Sequence, residues 1–417
     1  MRIATSAVSA VATAQSVDAA LDELVRRLDG SPDLVVGYHT VEGGAAVFET
    51  LLRRLPAGRF AGCSSCRGVM TEEGLFGFAG GGFALWGVRD PDGAYGTGFA
   101  AIDPPDDADR DVAAATARDA ARRAYAAAVD NAGRRGELPE LVWVLAVPGV
   151  EEAVLRGLDE VTGGQVPIAG GSAADNTIEG GWTCFAGSEI GRSGVAVVVL
   201  FPTTALASSF QSGYEPAGPS GTVTRCEGRL VLEIDGRPAA RVYDEWTRGL
   251  LAAALTGGDH NVLGLTTMAP LGREIGRINV DQQSIPYYSL LHPERVTDSH
   301  ALALFAEVTS GERLYLMRGS IDSLVSRAGR VADAARSLLG DGQRGRPNAG
   351  LAGGLVIYCA GCMLAVGDDL PGVAKELATA LGGSPFIGAF TFGEQGCLLG
   401  GENRHGNLMI SVAVFER

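Results

Sequence analysis

Apolar runs recur along the chain, each followed by an amphipathic pattern and then a second short run that ends on glycine. DLVVGYHT (33–40) precedes GGAAVFETLLRRL (43–55) and then RFAGCSSCRGVMT (59–71). LVWVLAVPG (141–149) precedes EEAVLRGLDEVTG (151–163) and then PIAGGSAADN (167–176). GLVIYCAGC (354–362) precedes GVAKELATALGG (372–383) and then PFIGAFTFGEQG (385–396). A further apolar run closes each set: GGFALWGVR (81–89), GVAVVVLF (194–201) and NLMISVAVF (407–415). Runs such as VAVVVL lack a polar alternate, which indicates strands covered on both faces. The pattern predicts one unit used three times: strand, helix, short strand ending in Gly-x-Ser/Thr, loop, strand. Val36 to Gly62 and Val144 to Gly170 are each 26 residues, and Val356 to Gly388 is 32.

Other elements fill the gaps. MRIATSAVSAVATAQ reads as a first strand rather than a secretory signal, because Thr5, Ser6 and Ser9 interrupt its apolar stretch. A helix is expected over 16–28. A Pro-Asp-Gly turn at 91–93 predicts a hairpin. An Ala-rich helix spans 106–133, with Asp106, Asp107 and Asp109 suited to its start and Gly133 to its end. QSGYEPAGPSGTVT (211–224) reads as a linker or crossover. RLVLEIDGRPAARVYDEW (229–246) predicts a strand, an Asp-Gly turn and a helix. A hairpin around Ser310-Gly311 (301–318), a helix over 321–339 and a loop over 340–350 follow. The division is an N-terminal region 1–208, a linker or crossover 209–225, and a C-terminal region 226–417. The fold class is α/β: repeated strand-helix-strand units forming layered sheets with helices outside, in an α-β-β-α arrangement.

The chain has 417 residues, 46% hydrophobic and 20% charged, enough for two or three cored domains. Its net charge of −15 argues against nucleic acid or an anionic membrane as partner. No window holds 18 clean apolar residues, so no membrane helix is expected and a cytoplasmic location is. Among 34 basic residues only Lys375 is a lysine, and there is no phosphate-binding G-x-x-x-x-G-K-[ST]. Seven cysteines, an odd number, do not resemble a secreted disulfide framework.

The glycine loops admit two readings. Glycine at a strand end allows a tight turn or a close backbone approach. Alternatively, three such loops converge on one polar pocket beyond the carboxyl ends of the strands. Two C-x-x-C pairs, Cys63/Cys66 and Cys359/Cys362, could hold zinc if they meet, or act as a redox dithiol. Neither is followed by histidine, which disfavours covalent haem attachment. Of His39, His260, His292, His300 and His405, His39 ends the first unit's strand and is the candidate haem ligand. Ser64, Ser65 or Cys63 with His39 or His405 could form a nucleophile and base. The chain has no G-x-S-x-G elbow, HExxH or dinucleotide fingerprint, so an enzyme is the less favoured reading. Glu394 and Arg404 are solvated loop charges, or together they suit the ammonium and carboxylate of an amino acid.

GCSS at 62–65, IAGGSAADN at 168–176, IDGRPAARVYDEW at 234–246 and GAFTFGEQG at 388–396, in this order, resemble the FIST family over nearly the whole chain. The resemblance implies a bacterial intracellular sensor of small ligands, amino acids among them, working with signalling partners. Some members look like haem-binding nitric-oxide sensors acting on histidine kinases. It places the family's small-residue loops on Gly62, Ser64, Ser65, Gly170, Gly171, Ser172, Asp175 and Asn176 and its Gly-Glu pair on Gly393 and Glu394, with His405 and Asn407 an imperfect match to a terminal motif; Cys63, Thr391 and Arg404 complete the candidate ligand contacts. The family's Cys-x-Gly-Arg reads here Cys359-Ala360-Gly361-Cys362, a cysteine standing where arginine is usual. No kinase or output domain is recognised, so a signalling partner is expected to be separate. The alternative functions are the haem-based nitric-oxide sensor and a thiol-dependent redox protein or enzyme.

Overall fold

A computed structural model describes residues 7–78, 80–105, 109–258, 260–280, 283–341, 350–398 and 400–417. The three predicted units are present. Each places its first strand parallel to its second: Leu34–His39 beside Phe60–Ser64, Leu141–Ala146 beside Ile168–Ser172, and Leu351–Cys359 beside Phe386–Thr391. The closing strands Phe83–Arg89, Gly194–Phe201 and Met409–Glu416 run antiparallel to the first. The predicted helices lie between the parallel strands as Gly44–Arg54, Glu151–Thr162 and Leu370–Ala380. Local sequence explains the helix ends. Ser16 caps Val17–Arg27, with Asp18 in the first turn and Arg26 and Arg27 in the last. Asp109 caps Arg110–Ala132, and Gly133 ends it at φ 68°.

The glycines occupy one register position: Gly62 faces Gly37, Gly170 faces Val144, and Gly388 faces Val356. At two of them a Cβ would strike backbone, 2.0 Å from the Gly37 carbonyl oxygen at Gly62 and 1.9 Å from that of Val144 at Gly170.

Each unit extends a hairpin from the loop after its glycine strand, and that hairpin completes a neighbour's sheet. Val69–Phe76 of the first unit joins the third unit's sheet. Cys184–Gly191 of the second joins the first. Glu394–Gly406 of the third joins the second. The exchange is cyclic, and its centre repeats one backbone contact three times. The Ala174 N–H donates to the Ser64 carbonyl (3.0 Å), Phe392 to Ser172 (3.1 Å) and Cys66 to Phe390 (2.9 Å). Helices pack outside and sheets face inward, as the layered α/β pattern predicts. Three sheets, rather than two, share the inner core, with Tyr38, Trp143 and Phe415 among its buried residues. The Trp143 indole N–H donates to the Tyr38 hydroxyl at 3.1 Å, which keeps that polar pair satisfied in the core.

Between the third unit's strands Leu206–Ser212 and Leu351–Cys359 the chain builds a fourth sheet. It has nine described strands between Glu215 and Arg318, and the helix Ala239–Trp246 packs on it. The Asp-Gly turn is as read, with Asp235 at φ 50° and Gly236 at φ 72°.

The 211–224 stretch, read as a linker or crossover, falls in strands Leu206–Ser212 and Glu215–Glu227, which carry the chain from the third sheet into the inserted one. Two expectations are corrected. The 91–93 turn is formed, but its flanking strands enter different sheets rather than one hairpin. Leu302–Leu304 and Arg313–Arg318 do not pair either; each finds partners elsewhere in the inserted sheet. The helix after Ser320 runs to Asp341, and most of the 340–350 loop, with Asp106 and Asp107, lies outside the described residues. Among the described residues no helix is long and apolar enough to cross a membrane.

Candidate ligand cavity

The three strand ends do meet near one centre, yet they finish differently. At the first unit the junction is closed. The Ser64 hydroxyl accepts from the Thr183 N–H (2.9 Å), and Ser65 accepts from Phe390 N–H (2.8 Å) while donating to the Gly68 carbonyl. His39 is fully buried, stacked on Phe185 at 6.0 Å, with Nδ1 on the Thr40 carbonyl. Burial lowers its pKa to about 4, so the ring is neutral.

Where the second and third units meet, the inserted sheet covers the junction without filling it. A cavity of about 1120 Å³ remains. Its apolar wall includes Val150, Ile178, Trp182, Leu263, Phe305 and Phe392, with Trp182 set edge-on to Phe392 at 6.1 Å. Its polar wall starts at the helix Glu151–Thr162. The turn Pro148-Gly149-Val150 brings Glu151 and Glu152 to the cavity, where Arg229 of the inserted sheet pairs with both, at 2.7 Å from Glu151. Glu151 also accepts from the Ser172 hydroxyl and the Gly149 N–H, each at 2.9 Å, and Glu152 accepts from the Glu307 N–H at 2.8 Å. Burial works to raise the Glu152 carboxyl, but His405 and Arg229 outweigh it and hold the group at about 2. Glu151 is also held low, because Arg229 and His405 overcome the burial that would raise it. Both are therefore carboxylates at neutral pH. Arg110 and Arg156, also on the wall, share Glu307 at 2.7 and 3.2 Å.

The third unit supplies the remaining side. Thr391 and Cys359, opposite each other in register, both line the cavity. The Thr391 hydroxyl donates to Glu394 (3.0 Å), whose other oxygen accepts from the Met409 N–H (3.0 Å). Glu394 is fully buried; burial first, and then Cys359, push its carboxyl well above the usual range. Asn407 lines the cavity while accepting from the His292 N–H at 3.2 Å, and its amide lies 3.4 Å from His405 Nε2.

Of the residues singled out in the sequence, Cys359, Thr391 and Asn407 line this cavity, and Ser172 stands behind Glu151. Gly171 pairs with Glu394 across the exchanged hairpin. Asp175 accepts from four backbone N–H groups between Thr177 and Gly181, shaping the loop that carries Ile178 toward the cavity. Asn176 accepts from the Arg67 N–H at 2.6 Å. Gly62, Gly170, Ser64 and Ser65 serve the packing of the junction rather than the cavity wall. Glu394 and Arg404 do not form a shared charge pair: the first is enclosed, and the second pairs with Glu402 at 2.6 Å. Glu151, Glu152, Arg229 and Trp182 were missed, and His292, which lines the cavity, was passed over in favour of His39. The consecutive acids after Pro-Gly-Val were the one available signal, and they read as an ordinary helix start.

The four C-x-x-C thiols do not meet as a zinc site. Cys63 faces Cys184 across the sheet, while Cys66 packs in the cluster of Cys359 and Cys362. Among the described residues no group of three or more His, Cys, Asp or Glu is arranged to hold a metal ion. Nor do the residues fit haem. His39 is sealed away from the cavity, and the cavity's His292 has Nε2 engaged by the Leu263 carbonyl (3.1 Å) and Thr267 (3.3 Å).

A FIST N domain model matches residues 33–237, and a FIST C domain model matches 239–397. The chain belongs to the FIST family. FIST domains are sensor domains of signal transduction, suggested to bind small ligands. The FIST N match runs through the first two units, and the FIST C match covers most of the inserted sheet and the third unit up to Cys397, so the cavity lies where the two matched segments face each other. No curated protein matches the chain. Among solved structures it is similar to a cyanuric acid hydrolase from A. caulinodans (11% identity, TM-score 0.38, 99% of each chain covered). A second cyanuric acid hydrolase, described as an evolutionary innovation by structural concatenation, is similar at 9% identity and TM-score 0.36, with 99% of this chain and 100% of that one covered. At these values the likeness carries nothing about the chemistry of this FIST protein.

Proposed function

We propose that this protein is a sensor whose ligand is a small amphipathic zwitterion of the amino-acid class, held in the cavity between the second unit, the third unit and the inserted sheet. The observation that carries the reading is the pairing, in one 1120 Å³ space, of an aromatic and aliphatic wall with a wall of charged groups of both signs. The ligand's ammonium faces Glu152, and its carboxylate faces Arg156 and Arg110 in place of Glu307. Glu394 serves by orienting Thr391 rather than by meeting the ammonium. The family's place in signal transduction supports a separate protein partner, such as a histidine kinase, and a cytoplasmic setting.

The test is a thermal-shift and calorimetric screen of amino acids and related carboxylates. A ligand at about 100 times its Kd adds about 2.7 kcal/mol to the native state. For a domain of this kind that is a shift of about 5–10 °C. Glu152→Gln should reduce the affinity of the hit at least about tenfold, by loss of a charge-assisted contact of about 1.5–3 kcal/mol. A flat response to every amino acid and carboxylate would overturn the ligand class.

A further inference from the structure

Cys359 ends the strand Leu351–Cys359, and Cys362 follows one turn into the helix Ala360–Val366. Both are free thiols, three residues apart across the first turn of that helix, and they pack in one cluster. Their positions differ in one respect that matters chemically. Cys359 lines the cavity, while Cys362 sits behind it, 1% exposed, with its sulfur 3.7 Å from the Tyr214 hydroxyl. A Cβ at Gly361 would touch Leu408 at 3.2 Å, the Cys359 sulfur at 3.5 Å and the His292 ring at 3.6 Å, so the glycine leaves that side of the sulfur uncovered. Cys66 packs in the same cluster but does not line the cavity, and the remaining thiols lie elsewhere. Cys63 and Cys184 are fully buried opposite each other, and Cys226 and Cys397 are partly exposed and do not line the cavity.

We propose that Cys359 and Cys362 are a two-electron exchange site in the cavity, oxidised by small organic disulfides that enter it. Cys359 gives up its thiol proton, and its sulfur attacks one sulfur of the disulfide RSSR. The RS–SR bond breaks and RSH leaves with that proton. The Cys362 sulfur then attacks Cys359 in the mixed disulfide, and the second RSH leaves with the Cys362 proton. In sum, two protein thiols and RSSR become one Cys359–Cys362 disulfide and two RSH. Burial outweighs the Cys362 and Gly361 backbone N–H groups that favour the thiolate and keeps Cys359 in its thiol form, which slows attack near neutral pH. The proposal uses the cavity but is independent of which zwitterion binds there, since it is read on protein without amino acid present.

The experiment treats the reduced full-length protein with cystamine and maps its peptides by mass spectrometry. The wild-type chain should lose two hydrogens within the peptide holding Cys359 and Cys362, release two cysteamines and recover with dithiothreitol, faster near pH 9 than near pH 7. Cys362→Ser should stop at a cysteamine adduct on Cys359. Cys359→Ser should leave Cys362 unmodified. Cys362→Ala, with its melting temperature recorded beside that of Cys362→Ser, gives a second route to the trapped adduct if serine in the buried site disturbs folding. Adducts confined to Cys226 and Cys397, or no adduct on Cys359 in both folded Cys362 variants, would overturn the proposal. Failure of the amino-acid screen would leave this result unchanged, so the two readings fail separately.

Discussion

Replacing Arg229 by Met tests the electrostatics of the cavity wall. Glu151 is 2% exposed, and Arg229, itself 23% exposed, is its ionic partner. Removing one member of a buried pair costs about 3–5 kcal/mol, because the remaining charge is left desolvated. The Ser172 hydroxyl and Gly149 N–H remain on Glu151, so the lower end, about 3 kcal/mol, is expected. The sign with pH follows from the carboxyl. In the wild-type protein its folded pKa lies below the unfolded value, so its contribution is present above that value and is lost as pH falls through the folded pKa. Without Arg229 the strongest influence opposing burial is gone, and the folded pKa moves upward. The stability gap between the proteins is then widest in alkali and narrows as Glu151 becomes protonated. Urea unfolding near pH 8 and near pH 5 reads this directly. Glu151→Gln and Glu152→Gln combined with Arg229→Met should recover most of the loss, because neither carboxylate is then left without its partner. A gap below about 1 kcal/mol near pH 8, or one that does not change with pH, would refute the reasoning.

Two further outcomes follow from the packing. Gly170→Ala places a Cβ 1.9 Å from the Val144 carbonyl oxygen at a φ of +149°, so it should lower stability by about 3 kcal/mol or more in urea unfolding, and an unchanged midpoint would show that the strands part easily. His39 and His292 are both held near 4 by burial, against 6.5 in an unfolded chain. The unfolded state then takes up more protons between those values, so stability falls as pH drops from about 6.5 to 4, by about 3 kcal/mol for each ring. His39→Phe keeps the ring stacked on Phe185 and should shallow that acid decline; an unchanged slope would show that His39 is protonated in the folded state.

Much of the scaffold was legible locally. Apolar runs marked the parallel strands, Ser16 and Asp109 marked helix starts, and the spacing around Gly62, Gly170 and Gly388 marked a repeated unit. These features depend on backbone geometry and burial within a few tens of residues. The hairpins were harder, because Val69–Phe76 pairs with a strand more than three hundred residues away and its own segment names no partner. The same limit produced the false hairpins at 91–93 and 301–318: a turn signal states that the chain reverses, not that the flanking strands pair with each other.

The site divides in the same way. The motif reading brought out Cys359, Thr391 and Asn407, since each sits near a strand end where loops gather. It passed over Arg229, whose role depends on the inserted sheet lying across the helix that starts at Glu151. It also read Glu394 as a loop charge, because sequence does not report the burial that encloses this carboxyl and pushes its pKa up. The sequence by itself determined three glycine-ended units and the family they belong to. The tertiary structure decided which junction stays open. His39, Ser64 and Ser65 close one with their own hydrogen bonds and stacking, whereas the inserted sheet spans another and meets its helix through an ion pair, leaving room for a ligand beneath.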